Sequence, residues 1–386
     1  MIDWQKVRAR FKKLKTEQKY KKAVGDKKAT LWIPTHIPIE ESTYNFIMSD
    51  RSRGKTTQLL LFLMIAGYDY NKTIEYVRTT DDEIAPKNTA KLFDVITAYD
   101  YIEQITHGEY NTVQYSAKYW YYAKSENGKI IETAEKPFLH CSAVRKYLEL
   151  KSGYNSANSD LILYDEHIGK ENIDDFQAYM QLQSTFFRLR SGCKAFFLSN
   201  TINKDASIFY EFTIAKPIEN MQQGDSKLIK NALGSCFYIE ILYNDKSAVK
   251  QAVNSEYYGF ENSKLSSITG AETWNFKQYQ HIMKKEYEYI SKNTYVYYHG
   301  RYYRLDIVHC DLGTIVLAHR ATRTYDDSYI FTIEHITDKR YVYGLGYTRA
   351  HNKFWQMFRH NKFYFDTNET GDSLERYYNI CRRSIY

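Results

Sequence analysis

The sequence predicts an α/β fold with a mainly parallel sheet, followed by a smaller β-rich unit. Three observations carry this. An apolar run at 44–48 passes through a short polar loop into a strongly apolar run at 58–66, so a strand is followed at once by a helix. Two further apolar runs end in polar pairs: 161–164 in Asp165 and Glu166, and 195–198 in Ser199 and Asn200. Unbroken apolar runs of that length describe strands buried on both faces. After residue 293 the pattern changes to short, Tyr-rich strands with turn signals between them.

At 386 residues, with 43% hydrophobic residues, the chain is long enough for two domains and a sizeable core. No apolar run approaches the length of a membrane span, and the N-terminus has no apolar core like that of a signal peptide. Cys141, Cys193, Cys236, Cys310 and Cys381 are odd in number and never form a C-x-x-C pair. That argues against a disulfide framework or a zinc site. The 38 tyrosines name no partner, since Tyr packs half-buried with a wet hydroxyl.

The charge is unevenly placed. Residues 1–28 hold eleven Lys and Arg against Asp3, Glu17 and Asp26, a local +8 against a net +7, so the remainder of the chain is close to neutral. This basic arm suits a polyanion or simply a solvated helix face. Residues 2–20 read as a helix with Trp4, Val7, Phe11 and Leu14 on one stripe. The stripe packs on its own domain, on a neighbouring subunit or on a membrane surface. Trp32 precedes the first strand, with a core place or a place beside a bound base both open to it.

The polar loop is Ser49, Asp50, Arg51, Ser52, Arg53, Gly54, Lys55, Thr56 and Thr57. Strand, tight loop ending in Gly-Lys-Thr, and helix is the arrangement that cradles nucleotide phosphates. Backbone amides and the helix N-terminus face the anion, Lys55 reaches the β/γ-phosphates, and the Thr56 hydroxyl holds Mg²⁺. The expected cofactors are therefore ATP and Mg²⁺. Ser49 stands where the usual pattern has its first glycine. The helix is expected to close at Gly67.

Residues 73–78 read as the next strand, and 79–83 as a turn and helix start with acids suited to a first turn. The rhythm breaks at 112–133, where Tyr, Val and Trp surround Asn127-Gly128, a strong hairpin turn. Residues 138–142 form another strand, and 144–150 a short helix. The Asp165-Glu166 strand follows. Ligands bind at the carboxyl ends of strands in open α/β sheets. In an ATPase the first acid helps hold Mg²⁺ and the second polarises the attacking water. A helix at 172–187 is broken by Ser191-Gly192. Ser199 and Asn200, at the end of the strand 194–198, either sense the γ-phosphate or cap a local turn. A strand is expected at 237–243. The boundaries drawn are 1–245 for the first domain, 246–292 for a linker with a connecting helix at 272–292, and 293–386 for the second. In the last, 295–298 and 301–308 form a hairpin through His299-Gly300, with strands at 315–318 and 329–335 and a helix at 374–381.

On these motifs the chain resembles the tailed-phage DNA-packaging ATPases, most closely the encapsidation proteins of small podophages, a terminase-like group. Their phosphate loops often lack the first glycine and carry an Arg four residues before the Lys, where Arg51 stands here. The resemblance implies a RecA/ASCE-type P-loop ATPase domain. Lys55 and Thr56 then serve phosphate and Mg²⁺, Asp165 orders the metal, and Glu166 activates water. It implies a homo-oligomeric ring, a pentamer, on the portal protein of a prohead, driving double-stranded DNA inward, with a structural RNA as a further partner. It implies location in the host cytoplasm, transient attachment to the prohead, absence from the mature virion, and no membrane partner. Ring ATPases take a positive charge from a neighbouring subunit. Arg188 and Arg190 are the candidates, with Lys151 behind them.

The resemblance further implies a tail that is RNase H-like, expected here to be a vestigial nuclease. Its acids, Asp306, Asp311, Asp326, Asp327 and Glu334, match no spacing for two-metal chemistry, and a docking role for portal, DNA or RNA follows. The alternatives are another RecA-like DNA-dependent ATPase, such as a helicase with aromatic stacking for single strands, and a non-enzymatic β-rich protein whose Gly-Lys-Thr is accidental.

Overall fold

The computed structural model describes residues 1–14, 32–49, 54–146, 159–167, 173–187, 190–200, 206–242, 279–283, 286–334, 336–343 and 349–383. The chain divides into two compact units, Met1–Trp274 and Asn275–Tyr386.

The apolar runs of the first unit become neighbours in one sheet. Its strands are β1 (Tyr44–Met48), β2 (Ile74–Arg78), β3 (Thr112–Ser116), β4 (Tyr119–Glu126), β5 (Lys129–Thr133), β6 (Leu139–Ala143), β7 (Leu161–Asp165), β8 (Lys194–Ser199), β9 (Ser226–Lys230) and β10 (Cys236–Ile241). The order is β3-β4-β6-β2-β7-β8-β1-β10-β9, with β5 on β4. From β6 to β10 every pairing is parallel. The hairpin β4–β5 turns through Asn127 and Gly128, both at positive φ, as a two-residue hairpin turn requires. It joins the sheet antiparallel to β6, so the insertion extends the sheet rather than hanging from it.

Helices cover both faces. On one lie α1 (Trp4–Lys13), α2 (Lys55–Tyr70), α3 (Pro86–Thr89), α4 (Lys91–Ala98) and α5 (Tyr101–Ile105); on the other lie α6 (Ile173–Phe187), α7 (Ser207–Glu211) and α8 (Ala215–Ile218). Residues Leu59 to Ala66 of α2 are fully buried, because the sheet lies beneath α2 and α1 above it. Trp4 stacks on Phe62 at 5.8 Å, and Phe11 meets the same ring edge-on at 5.7 Å. Each such buried side chain contributes about 1.5–3 kcal/mol. The α1 stripe therefore packs on its own domain. Two of its cations turn inward as well: Arg8 pairs with Glu40, and Arg10 with Asp69.

Gly67 does not end α2. The helix runs on to Tyr70 and is capped by Asn71 in the left-handed conformation. A Cβ at Gly67 would come within 2.9 Å of the Lys72 carbonyl oxygen, so its glycine serves a close approach inside the last turn.

The second unit has β11 (Glu288–Ser291), β12 (Thr294–Tyr298), β13 (Arg301–Cys310), β14 (Gly313–Ala321), β15 (Tyr329–Thr332), β16 (Tyr341–Tyr343) and β17 (Phe363–Phe365), with helices α9 (Arg349–Arg359) and α10 (Asn368–Arg383). Strands β12, β13 and β14 form an antiparallel meander, and β15 and β16 add in parallel beside β12. The described part of 272–292 is extended, not helical: His281 bridges to Phe365, and β11 pairs with β13. Its Lys, Glu and Tyr suit an exposed edge strand as well as a helix, and pairing with a distant strand decides between them. Most of the predicted linker, 246–278, lies outside the described residues.

Candidate functional site

Four parallel strands, adjacent in the order β2-β7-β8-β1, deliver their carboxyl ends to one edge of the first sheet. Register sets what meets there. Val77 pairs with Tyr164, Asp165 with Leu198, and Met48 with Ser199. Arg78, Asp165-Glu166, Asn200 and Ser49 thus emerge side by side, with Lys55 and Thr56 arriving from the first turn of α2.

Gly54 caps α2 in the left-handed conformation, φ 68°, where a side chain would be strained. This aims the N-terminus of a 16-residue helix at the strand ends, a ready anion site. Lys55 is buried, and its Nζ donates to Ser49 Oγ and, at 3.1 Å, to Asn200 Oδ1. Asn200 Nδ2 in turn donates to Glu166 Oε1 at 3.0 Å. The same amide therefore links the phosphate-loop lysine to the second acid. Ser199 is buried, and its carbonyl accepts from the Ser49 amide at 3.2 Å.

Thr56 Oγ1 donates to Asp165 Oδ1 at 3.2 Å, and the Tyr76 hydroxyl to Oδ2 at 3.0 Å. Burial pushes the Asp165 carboxyl up from the usual range, against the lowering effect of Arg78. A hydroxyl and a carboxylate side by side fit Mg²⁺, which keeps several waters and takes few protein oxygens. Among the described residues no group of three or more His, Cys, Asp and Glu side chains is placed to hold a metal, so an all-protein cage is not on offer there.

Glu166 has φ 55°. A glutamate in that region costs energy and needs surroundings that impose it. Two contacts from other strands do so: the Asn200 amide and the Arg78 guanidinium, whose Nη2 lies 2.7 Å from Glu166 Oε2. Arg78 Nη1 also reaches Asp165 Oδ2 at 3.2 Å, and Nη2 reaches Glu83 Oε1 at 3.3 Å. Glu83 is itself held by the Thr80 amide and hydroxyl, both at 3.0 Å.

Arg78 is the residue that sequence reasoning missed. The signal was present: Arg78 ends an apolar strand, the same rule that singled out Asp165. Of the predicted loop, Ser49, Gly54, Lys55, Thr56 and Thr57 are described, whereas Asp50, Arg51, Ser52 and Arg53 lie outside the described residues, as do Arg188 and Lys151. Arg190, the other candidate trans-acting charge, is described. Its Nη1 pairs with Asp160 at 2.9 Å, and its other nitrogens donate to the carbonyls of Ser159, Phe186 and Phe187. Asp160 precedes β7, so Arg190 braces the amino end of that strand, opposite the end that bears Asp165. Trp32 is buried and donates to Glu240 Oε2 at 3.1 Å, a core place.

In the second unit Asp306 is fully buried and accepts from Arg304 Nε at 3.1 Å, with His319 Nε2 at 3.6 Å. Asp311, Asp326, Asp327 and Glu334 are exposed.

A parallel sheet whose first strand enters a glycine-capped loop and helix, with acids ending a strand two places away, defines the fold class of P-loop ATPases. A β-rich second unit accompanies it here. The chain is similar along most of its length to two solved phage assemblies. Against the Phi-28 gp11 DNA packaging motor the TM-score is 0.54 at 14% identity, covering 91% of this chain and 97% of that one. Against the bacteriophage Phi-29 viral genome packaging motor assembly it is 0.51 at 15% identity, covering 92% and 99%. At these identities the likeness is one of fold. No protein-family description and no curated protein matches the sequence.

Proposed function

We propose that this chain is an ATP-hydrolysing motor that drives double-stranded viral DNA through a portal into a prohead. The observation that carries the reading is the continuous line of contacts from Lys55 through Asn200 to Glu166, and from Glu166 through Arg78 to Asp165 and Thr56. It joins a phosphate-binding lysine, a water-activating acid and a metal-binding pair in one hydrogen-bonded unit. The fold shared with two phage packaging motors supports the DNA part of the reading.

In this proposal the α2 N-terminus and Lys55 bind the phosphates. Thr56 and Asp165 would hold Mg²⁺, which neutralises charge on the phosphate oxygens when bound. Glu166 accepts the proton of the attacking water, and Asn200 aligns that carboxylate with Lys55. Arg78 donates to two adjacent carboxylates and fixes their spacing. The trans-acting cation, the portal contact, the pentameric ring and the host-cytoplasmic setting belong to the same proposal, and Arg188 remains its candidate for the first of these.

The test is steady-state hydrolysis by the purified chain, with Lys55→Ala and Glu166→Gln as variants. Both should lose ATP turnover while keeping the wild-type melting temperature. Stimulation by duplex DNA should be indifferent to sequence and fall steeply with salt, as phosphate contacts do. Turnover retained by Lys55→Ala would sink the ATPase reading. Strand separation on a forked duplex would replace the packaging reading with a helicase.

A further inference from the structure

Helix α9 (Arg349–Arg359) presents two unlike faces. Its inner face is built into the core of the second unit: Phe354 is buried, His351 bonds the Tyr377 hydroxyl at 3.0 Å, and Trp355, Met357 and Phe358 pack on the same cluster. Its outer face is fully polar. Arg349, Asn352, Lys353, Gln356 and Arg359 are all exposed and recur at spacings of three and four, which places them on one stripe. Exposed Lys362 extends the stripe past the helix end. From Tyr341 to Phe365 the sequence has no Asp or Glu.

These four cations differ from Arg304 and Arg340 in the same unit. Arg304 and Arg340 are paired with Asp306 and Asp338, whereas Arg349, Lys353, Arg359 and Lys362 have no ion-pair partner among the described residues. Three unpaired cations along about 15 Å of helix, with Lys362 just past its end, repel one another. Folding gains nothing from that arrangement, and a polyanion relieves it.

The surface discriminates among polyanions and surfaces. A membrane-surface helix needs a free apolar face, and that of α9 is already buried. A protein interface needs aromatic or apolar anchors, and no large exposed apolar side chain falls on α9. A single strand needs aromatic platforms for its bases, which are missing for the same reason. Cations interleaved with Asn and Gln amides are the donors that phosphate backbones take up without reading sequence.

We infer that the outer face of α9, continued by Lys362, docks on the phosphate backbone of double-stranded DNA. The choice of DNA over duplex RNA rests on the motor reading above; the choice of a duplex backbone rests on the face itself.

The test is equilibrium binding of the full chain, without ATP, to two 30-base-pair DNA duplexes of unrelated sequence and to a duplex RNA of equal length, across a salt series. The test variant is Arg349→Gln/Lys353→Gln/Arg359→Gln. The control is Lys87→Gln/Lys91→Gln/Lys129→Gln, which removes equal charge from exposed sites on the first unit. The α9 variant should bind both DNA duplexes at least tenfold more weakly. Its slope of log affinity against log salt should be shallower by about 2 to 3, since each phosphate contact contributes about 0.9. The control should stay within about twofold of wild type. Unchanged affinity and slope in the α9 variant overturns the proposal. So does an equal loss in the control, which would make the effect one of net charge, and so does a loss confined to RNA. Because no nucleotide is present, failure of the ATPase reading would leave the outcome readable, and circular dichroism separates lost binding from lost fold.

Discussion

Arg78 Nη2 donates to Glu166 Oε2 at 2.7 Å from the neighbouring strand. The same guanidinium bridges to Asp165 at 3.2 Å, so one planar fork serves two carboxylates adjacent in sequence. A lysine offers a point charge in place of that fork. Arg78→Gln should lower kcat for ATP about 10- to 100-fold, the usual effect of removing a partner that orients a metal-site ligand. Arg78→Lys should restore only a small part of it. Steady-state kinetics checks this, and an unchanged kcat in Arg78→Gln would remove Arg78 from the site.

Asn200 takes its place through both halves of its amide, the oxygen to Lys55 and the nitrogen to Glu166. An aligning group differs from a binding group in which constant it moves. Asn200→Ala should lower kcat about 10-fold or more with little change in KM for ATP. Asn200→Asp should do worse, because it sets a third carboxylate against Glu166. A variant that raises KM and spares kcat would mark Asn200 as a phosphate ligand only.

The strand ends were readable because buried parallel strands need continuous apolar runs, and carboxyl ends collect function. Asp165, Glu166, Ser199 and Asn200 follow from that rule alone. Arg78 obeyed it too, yet a single charge at the end of a five-residue strand looks like an ordinary solvated terminus until its neighbour is known. The neighbour is β7, 83 residues after β2 ends, and pairing over that separation leaves no local trace. The same limit explains the misread stretch before β11. Its residues tolerate either geometry, and β13 decides. Helix α9 went unread because its inner face uses His351 and Trp355 among polar residues rather than a plain aliphatic stripe. Arg190 could be located but not interpreted, since its partner Asp160 precedes a different strand.

Arg190 lies close to the sensing strand in sequence and is engaged within its own subunit. Its guanidinium is spent on Asp160 and three backbone carbonyls. Removing it takes a donor from three backbone carbonyls and leaves Asp160 with Lys72 as its remaining ion-pair partner. Arg190→Ala should therefore destabilise the first unit by about 2–4 kcal/mol, read as a lower denaturation midpoint. In mixing experiments, its subunits should not be rescued by wild-type neighbours. If Arg190→Ala melts like wild type and abolishes only assembled activity, the arginine is a finger after all.

The second unit should lose stability in acid. His351 is buried against Phe331, Tyr377 and Tyr378, and burial holds its pKa down to about 4. His299 is likewise held down to about 4 by burial and by Arg376. The unfolded value is 6.5, so the folded state binds a proton less readily than the unfolded one. The stability this confers is fully present above pH 6.5 and is lost as pH falls toward 4. At pH 5 the loss from His351 alone is about 2 kcal/mol, at 1.36 kcal/mol per pH unit. His351→Gln keeps a hydrogen-bonding partner for the Tyr377 hydroxyl and cannot titrate. It should be less stable than wild type at pH 8, since a flexible amide packs poorly among three rings, and the gap should narrow or reverse by pH 5. Urea denaturation of both proteins at the two pH values measures it. A gap that stays constant from pH 8 to pH 5 would mean that His351 is already charged in the fold, and the aromatic packing around it would then need another explanation.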